Sequence, residues 1–288
     1  MRESISCPVC DTPMRVTRHE WEFRCAGCGF LASTLPPAMN VGGSGIDEGR
    51  RETALSALRA QNFKRIIERI STLVEPDGAA LLDVGCAHGW FLDVAVRRGY
   101  AARGLEPDRS IGEYALRKGH AVDYGLFPHD LSPDRRYNVI CFNDVFEHLK
   151  DPRGALAALH GHLRPGGLVV INLPSSRGAF FQTAAWLDRL GVRAPYERLW
   201  QKGFPSPHRS YFHPDALSRL AQREGLREVS REALESFQVK GLWQRLRFDR
   251  GMHLWLCAST WICVVAAAPL LRRLPSDISL QIFRPAQA

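Results

Sequence analysis

Residues 81–91, Leu-Leu-Asp-Val-Gly-Cys-Ala-His-Gly-Trp-Phe, constrain this chain more than any other stretch. Ala79 to Val84 is an apolar run that reads as a fully buried strand, and Trp90 to Arg98 reads as the helix after it. Gly85 and Gly89 then sit where backbone must come close to a ligand. Glu106 falls at the tip of the next predicted strand, Ala102 to Leu105, about twenty residues on, where a carboxylate can accept both hydroxyl hydrogens of a ribose. The arrangement points to a pocket for a nucleoside. A dinucleotide fingerprint would need glycine at 85, 87 and 90, and the chain has Gly85, Ala87 and Trp90, so the pyrophosphate loop is missing.

A cofactor without phosphates fits better, and here the chain resembles the class I S-adenosylmethionine (SAM) dependent methyltransferases. Their hydrophobic-Asp-x-Gly-x-Gly-x-Gly pattern is matched by Asp83, Gly85 and Gly89, with Ala87 in place of the middle glycine. The resemblance implies SAM as cofactor and a Rossmann-like α/β fold, a seven-stranded sheet with helices on both faces. The alternative is an ordinary strand-turn-helix whose glycines serve turn geometry alone.

The rest of the pattern agrees with that fold. An amphipathic helix is expected from about Arg51 to Val74, with Leu55, Leu58, Phe63, Ile66, Ile67 and Ile70 on its apolar side. Strands follow near 80–85, 101–106, 120–124, 137–143 and 167–173, with helices near 89–98, 108–118 and 152–163. Such alternation means a parallel sheet covered on both faces. A helix from Pro214 to Glu224 and strands at Leu226 to Ala233 and Ile278 to Phe283 complete seven strands.

In front of this domain, Cys7-Pro-Val-Cys10 and Cys25-Ala-Gly-Cys28 are two Cys-x-x-Cys knuckles fourteen residues apart. Four thiolates at that spacing can converge on one structural Zn²⁺; a redox pair is the rival reading. Val16 to Phe23 is expected to supply a short strand between the knuckles. The domains expected are a zinc ribbon at 1–32, a linker at 33–50 rich in Pro and Gly, and the catalytic domain at 51–288. That domain carries an aromatic and arginine-rich cap insertion at 175–212 and a hydrophobic insertion at 238–274.

Ligands of open α/β sheets bind beyond the carboxyl ends of the strands. Asn143 should therefore lie beside the cofactor, and Leu126-Phe127 should border its adenine. Glu147-His148 followed by Asp151-Pro152 matches a motif of small-molecule methyltransferases. His148 is the first candidate general base and His208, in the insertion, the second; a structural histidine holding a loop is the other reading of each. Asp144, Glu147 and His148 also resemble the acidic-x-x-Glu-His cluster with which the ubiquinone-biosynthesis O-methyltransferases hold a divalent cation. One helical turn would align them, and a solvated helix start would look the same.

Charge narrows the partners. Of the net +8, residues 1–173 contribute 21 basic and 21 acidic side chains, whereas 174–288 contribute 17 and 9. The ribbon is neutral, a poor electrostatic footprint for nucleic acid. The stretch 251–271 has no Lys, Arg, Asp or Glu, includes Trp255 and Trp261, and lies between Arg245, Arg247, Arg250 and Arg272, Arg273. Peripheral contact with an anionic membrane is one reading, a buried helix or dimer interface the other. The N-terminus has no apolar run fit for a signal peptide, so the expected location is cytoplasmic, at the inner face of the cell membrane where the segment docks. The family resemblance then implies methyl transfer to a small acceptor, a hydroxyl of a saccharide, lipid-linked or quinone-like molecule. RNA methylation with the ribbon as grip, and a non-catalytic SAM-binding scaffold, are the alternatives.

Overall fold

The computed structural model describes residues 5–37, 48–236, 243, 253–271 and 273–286. In chain order the strands are β1 (Met14–Val16), β2 (Glu22–Cys25), β3 (Leu31–Ser33), β4 (Ala80–Val84), β5 (Ala101–Glu106), β6 (Ala121–Tyr124), β7 (Tyr137–Asn143), β8 (Leu163–Pro174), β9 (Ser210–Tyr211), β10 (Leu226–Leu234) and β11 (Ile278–Pro285). The helices are α1 (Glu48–Ser71), α2 (Trp90–Arg98), α3 (Arg109–Arg117), α4 (Pro152–Leu159), α5 (Ala179–Arg189), α6 (Ala194–Leu199) and α7 (Pro214–Arg223), followed by a helix at Leu254–Leu271.

Seven strands form one sheet in the order β10-β11-β8-β7-β4-β5-β6. The five from β6 to β8 are parallel, while β11 runs antiparallel to both β8 and β10. The expected α/β sheet is present strand for strand. Its central strands are apolar at nearly every position because helices cover both faces. Leu82, Ile140, Phe142, Val169 and Ile171 pack to one side with Phe146, Leu156 and Leu217. Leu81, Val139, Cys141 and Val170 alternate to the other, against Phe63, Ile66 and Ile70 of α1 and Phe91 of α2. The expected Leu55 and Leu58 lie outside the described side chains.

The N-terminal segment differs from expectation in two ways. Val16 to Phe23 is not one strand: β1 and β2 pair antiparallel as a hairpin, Val16 opposite Phe23. Its polar tip turns because Glu22 N–H donates to the His19 carbonyl at 3.0 Å and Thr17 Oγ1 donates to the Glu22 carboxylate at 2.6 Å. Second, the boundary expected at residue 32 falls inside β3. That strand pairs with β9 of the insertion, Leu31 opposite Tyr211, so the small sheet runs β1-β2-β3-β9. Cys7, Val9, Cys25 and Phe30 share a core with Phe212, Leu217 and Leu220, and Leu31 and Leu35 share one with Phe181, Tyr196 and Trp200. The expected linker thus starts as packed chain through Leu35, and 38–47 lie outside the described residues.

Candidate functional site

The turn after β4 is built from left-handed backbone: φ is 71° at Gly85, 45° at Ala87 and 75° at Gly89. A Cβ at Gly85 would lie 2.4 Å from Val145 Cγ2, and one at Gly89 would lie 2.8 Å from the Ala115 Cβ, so both positions need glycine twice over. Ala87 adopts the same region with a side chain, which for an L-residue carries strain.

Glu106, at the end of β5, is buried. Its Oε2 accepts the Ala87 N–H and its Oε1 the Asp108 N–H, both at 3.0 Å. Each carboxylate oxygen keeps a further lone pair, so the group is oriented yet still able to receive two hydroxyls. Burial nevertheless raises its pKa. Asn143, at the end of β7, donates through Nδ2 to Asp83 Oδ1 at 2.9 Å, and its Oδ1 is buried with no hydrogen-bond partner among the described residues. Burial pushes Asp83 up to about 7, against the Asn143 hydrogen bond that lowers it, with the Glu106 charge adding to the rise. A buried carboxylate at a ribose's position, a small-residue turn and an unsatisfied amide oxygen fit the expected nucleoside cofactor.

A cavity of about 380 Å³ opens at these strand ends. Gly85, Ala87, Asn143, His148 and His208 line it, together with residues the sequence did not single out: Arg59, His88, Trp90, Ile111, Val145, Gln201 and Ser206. His88 and Trp90 were in the defining stretch and stack at 5.1 Å, and Ile111 starts the helix after Glu106, a position adjacency could have flagged. Arg59 lies 5.6 Å over Trp90 and 3.5 Å from Asp144, contacts that no local pattern announces. Asp83, Gly89 and Glu106 do not line the cavity, although Glu106 holds the N–H of Ala87, which does. Leu126 and Phe127 are absent from it: Leu126 is 59% exposed, and Phe127 packs at 5.3 Å on Phe142 in the core. After β6 the chain is held in a local turn, the Leu126 N–H donating to Asp130 Oδ2 at 2.8 Å and the Leu126 carbonyl accepting the Asp130 N–H at 3.0 Å. A larger cavity, about 510 Å³, lies between ribbon and insertion, but none of the expected cofactor or catalytic residues lines it.

The two candidate bases meet here, ring centroids 4.8 Å apart. His148 Nδ1 lies 3.2 Å from the Pro207 carbonyl. A carbonyl only accepts, so that bond puts the proton on Nδ1 and leaves the Nε2 lone pair free. Burial lowers the pKa of His148, and His208 is pushed down to about 3, first by burial and then by His148. His208 Nε2 is engaged by Gln201 Nε2 at 2.9 Å. Glu147 is buried, and burial, then the Asp144 charge, hold its carboxyl well above the usual range.

The cation trio expected at Asp144, Glu147 and His148 is not assembled. Asp144 has a left-handed backbone, φ 55°, and only Phe146–His148 is helical, so no helical turn aligns the three. Glu147, His148 and His208 instead bring donor atoms within 4.8 Å of one another.

At the other end, the Sγ atoms of Cys7 and Cys28 are 3.5 Å apart and those of Cys10 and Cys25 3.3 Å, all four within 4.8 Å. A tetrahedral zinc with bonds of about 2.3 Å requires sulfur separations of about 3.8 Å. The four cysteines fit such an ion with little movement, and they leave no open position for catalysis.

Comparison with known proteins follows the same lines. A family model described as a methyltransferase domain matches residues 57–231. The ubiquinone biosynthesis O-methyltransferase of Cereibacter sphaeroides (strain KD131) is 27% identical over 177 residues, covering 58% of this chain and 68% of the relative. That of Idiomarina loihiensis is 25% identical over 177 residues, covering 57% and 68%. Among solved structures, a SAM-dependent methyltransferase from Thermotoga maritima superposes with a TM-score of 0.54 at 13% identity, covering 84% of this chain and 96% of its own. The cyclopropane synthase of Mycobacterium tuberculosis gives 0.52 at 16%, covering 76% and 81%. These two likenesses are of fold.

Proposed function

This chain belongs to the methyltransferase-domain family and is a SAM-dependent methyltransferase, and from that premise we propose that its acceptor is a small molecule methylated on a phenolic, quinol-like hydroxyl. The observation that carries the reading is His148, half-buried on the wall of the strand-end cavity, its pKa lowered by burial and its Nδ1–H held by the Pro207 carbonyl so that Nε2 is the open nitrogen.

SAM supplies an electrophilic methyl group, and Glu106, Asn143 and the Gly85–Gly89 turn are the residues that would hold it. The chain has to align the acceptor oxygen with that methyl and remove its proton. His148 Nε2 takes the proton, and the Pro207 carbonyl, receiving the Nδ1–H, steadies the charged imidazole that results. Glu147, whose carboxyl burial holds well above the usual range, has an Oε2 without a partner among the described residues and in its protonated form can donate to the acceptor oxygen. A base with a lowered pKa is matched to a phenol, whose pKa is about 10, better than to a far less acidic saccharide hydroxyl. This selects the quinone-like option, in keeping with the names of the relatives.

A second reading rests on two orphaned buried atoms, Glu147 Oε2 and His208 Nδ1, which with His148 could hold a divalent cation near a catechol. Incubation with labelled SAM and a prenylated catechol separates the readings. Label in the ether product, lost in His148→Ala by roughly 10²–10⁴-fold with SAM affinity retained, supports the base. Restoration of a chelator-treated enzyme by Mg²⁺ or Mn²⁺, beyond what zinc restores, supports the cation. Label confined to RNA from a cell extract overturns both.

A further inference from the structure

The helix Leu254–Leu271 contains no charged residue, and one broad side of it is exposed. Leu254 is 58% exposed, Trp255 69% and Ile262 59%, whereas Cys257 and Ala268 are buried. On an α-helical wheel the exposed positions, which include Trp261, Cys263 and Ala266, cover an arc of roughly 200°. Water is a poor solvent for such a surface, and a protein partner normally covers a stripe nearer 100° wide.

The connections at its root fix the topology. The flanking strands are antiparallel neighbours, Leu234 opposite Ile278. Ser236 Oγ lies 2.7 Å from Ser276 Oγ and accepts the Asp277 N–H at 2.7 Å. The chain therefore leaves the sheet and returns to it at one point. Among the described residues no helix is long and apolar enough to cross a membrane, and a single crossing would in any case part β10 from β11. Between 238 and 275 the sequence holds Lys240 and five arginines against Asp249 alone.

We propose that the segment between β10 and β11 docks the enzyme on an anionic lipid bilayer, its helix seated in one leaflet and its flanking arginines among the headgroups. Lipid covers a 200° arc where a second copy would cover half of it, and two copies would bring their basic flanks together. The root also adjoins the reaction cavity. Asp277 receives the N–H groups of Phe180 and Phe181 at the start of α5, and Ile278 lines the strand-end cavity. Docking would thus set the cavity at the membrane surface, whichever hydroxyl is methylated.

Flotation of the full-length protein with vesicles of phosphatidylcholine, with and without phosphatidylglycerol, tests this. Binding is expected with the anionic vesicles at low salt, and the Trp255→Glu/Ile262→Glu variant should partition at least about tenfold less while melting at the same temperature as the parent. Brominated lipid should quench the tryptophan emission of the bound parent. A parent that stays with the soluble fraction, a variant that floats as well as the parent, or a solution dimer that the variant turns into monomer would each overturn the proposal.

Discussion

Asp83 sits beneath the glycine turn with 2% of its surface exposed, and burial raises its pKa from 3.8 to about 7. A raised folded-state pKa means that the native state holds the proton more tightly than the unfolded chain. The associated stability is therefore complete below about pH 4 and disappears as the pH climbs through about 7, a change of about 4 kcal/mol in full. Asp83→Asn keeps an oxygen for the Asn143 amide and removes the ionisation. Relative to the parent it should gain stability steadily between pH 4 and 8, and parallel denaturation curves would contradict the assignment. Two residues beyond Gly85, Ala87 holds φ at 45° where glycine would be unstrained. Ala87→Gly relieves about 1–2 kcal/mol of left-handed strain and costs about 0.4–1 kcal/mol of added chain freedom, so a net stabilisation of up to about 1.6 kcal/mol is expected on urea denaturation. Glu106→Ala would strand the Ala87 and Asp108 N–H groups, so it cannot spare the fold as a simple ribose contact would. Glu106→Gln retains one acceptor oxygen and should lower SAM affinity about tenfold or more in calorimetry with the melting transition intact. That second role of Glu106 could not be read from the sequence, which gives its position at a strand tip but not the two backbone groups folded back onto it.

At the scale of elements, what was legible followed from periodicity. Strands β4, β7 and β8 are largely apolar and close on glycine or polar residues, which marks them as buried strands of a parallel sheet. β9 has two residues, too few to show any period, yet it joins the insertion to the ribbon through Ser210 opposite Ala32. Around that pairing Ser33 Oγ donates to the His208 carbonyl at 2.6 Å, and Arg209 N–H donates to the Glu147 carbonyl at 2.8 Å. The ribbon thereby sets the loop that carries a candidate catalytic residue, which gives four cysteines far from the cofactor a bearing on the chemistry. Since Cys7, Cys25 and Phe30 belong to the same core as Phe142 and Phe212, removing a metal that the four cysteines would hold should not unfold this segment alone. Cys10→Ser, or exhaustive chelation, is expected to lower a single cooperative melting transition by several degrees and to reduce methyl transfer with it. Two separate transitions, the lower one silent in activity, would show the ribbon to be an independent appendage. Asp144 marks the limit of motif reading: Glu147-His148 was visible as a pair, but a left-handed residue three positions earlier breaks the helical turn that would have joined it to them.

At the scale of the whole molecule, the sheet has two edges that differ. One edge is the short strand β6, whereas the β10–β11 pair at the other carries a long excursion of the chain between residues that are already neighbours. Nothing in the register of that pair depends on the excursion, because the strands pair along their full length, from Leu226 opposite Pro285 to Leu234 opposite Ile278. The core on that side is filled by Leu234, Leu280 and Ile282 against α1, not by the apolar helix. Joining Ser236 to Ser276 through a short glycine-containing turn should therefore leave the catalytic domain folded. Replacing a loop of roughly forty residues with one of about four also returns about 2 kcal/mol of closure entropy. That gain offsets the burial of Cys257 and Ala268 that the shortened chain gives up. The expected protein binds SAM with parental affinity and melts no lower than the parent. It should methylate a water-soluble catechol at an undiminished rate, while turnover of a long-tailed acceptor presented in anionic vesicles falls. Calorimetry and the two assays in parallel give the answer: equal loss on both acceptors would mean that the segment supports the cavity itself, and equal retention that the acceptor reaches the site from water.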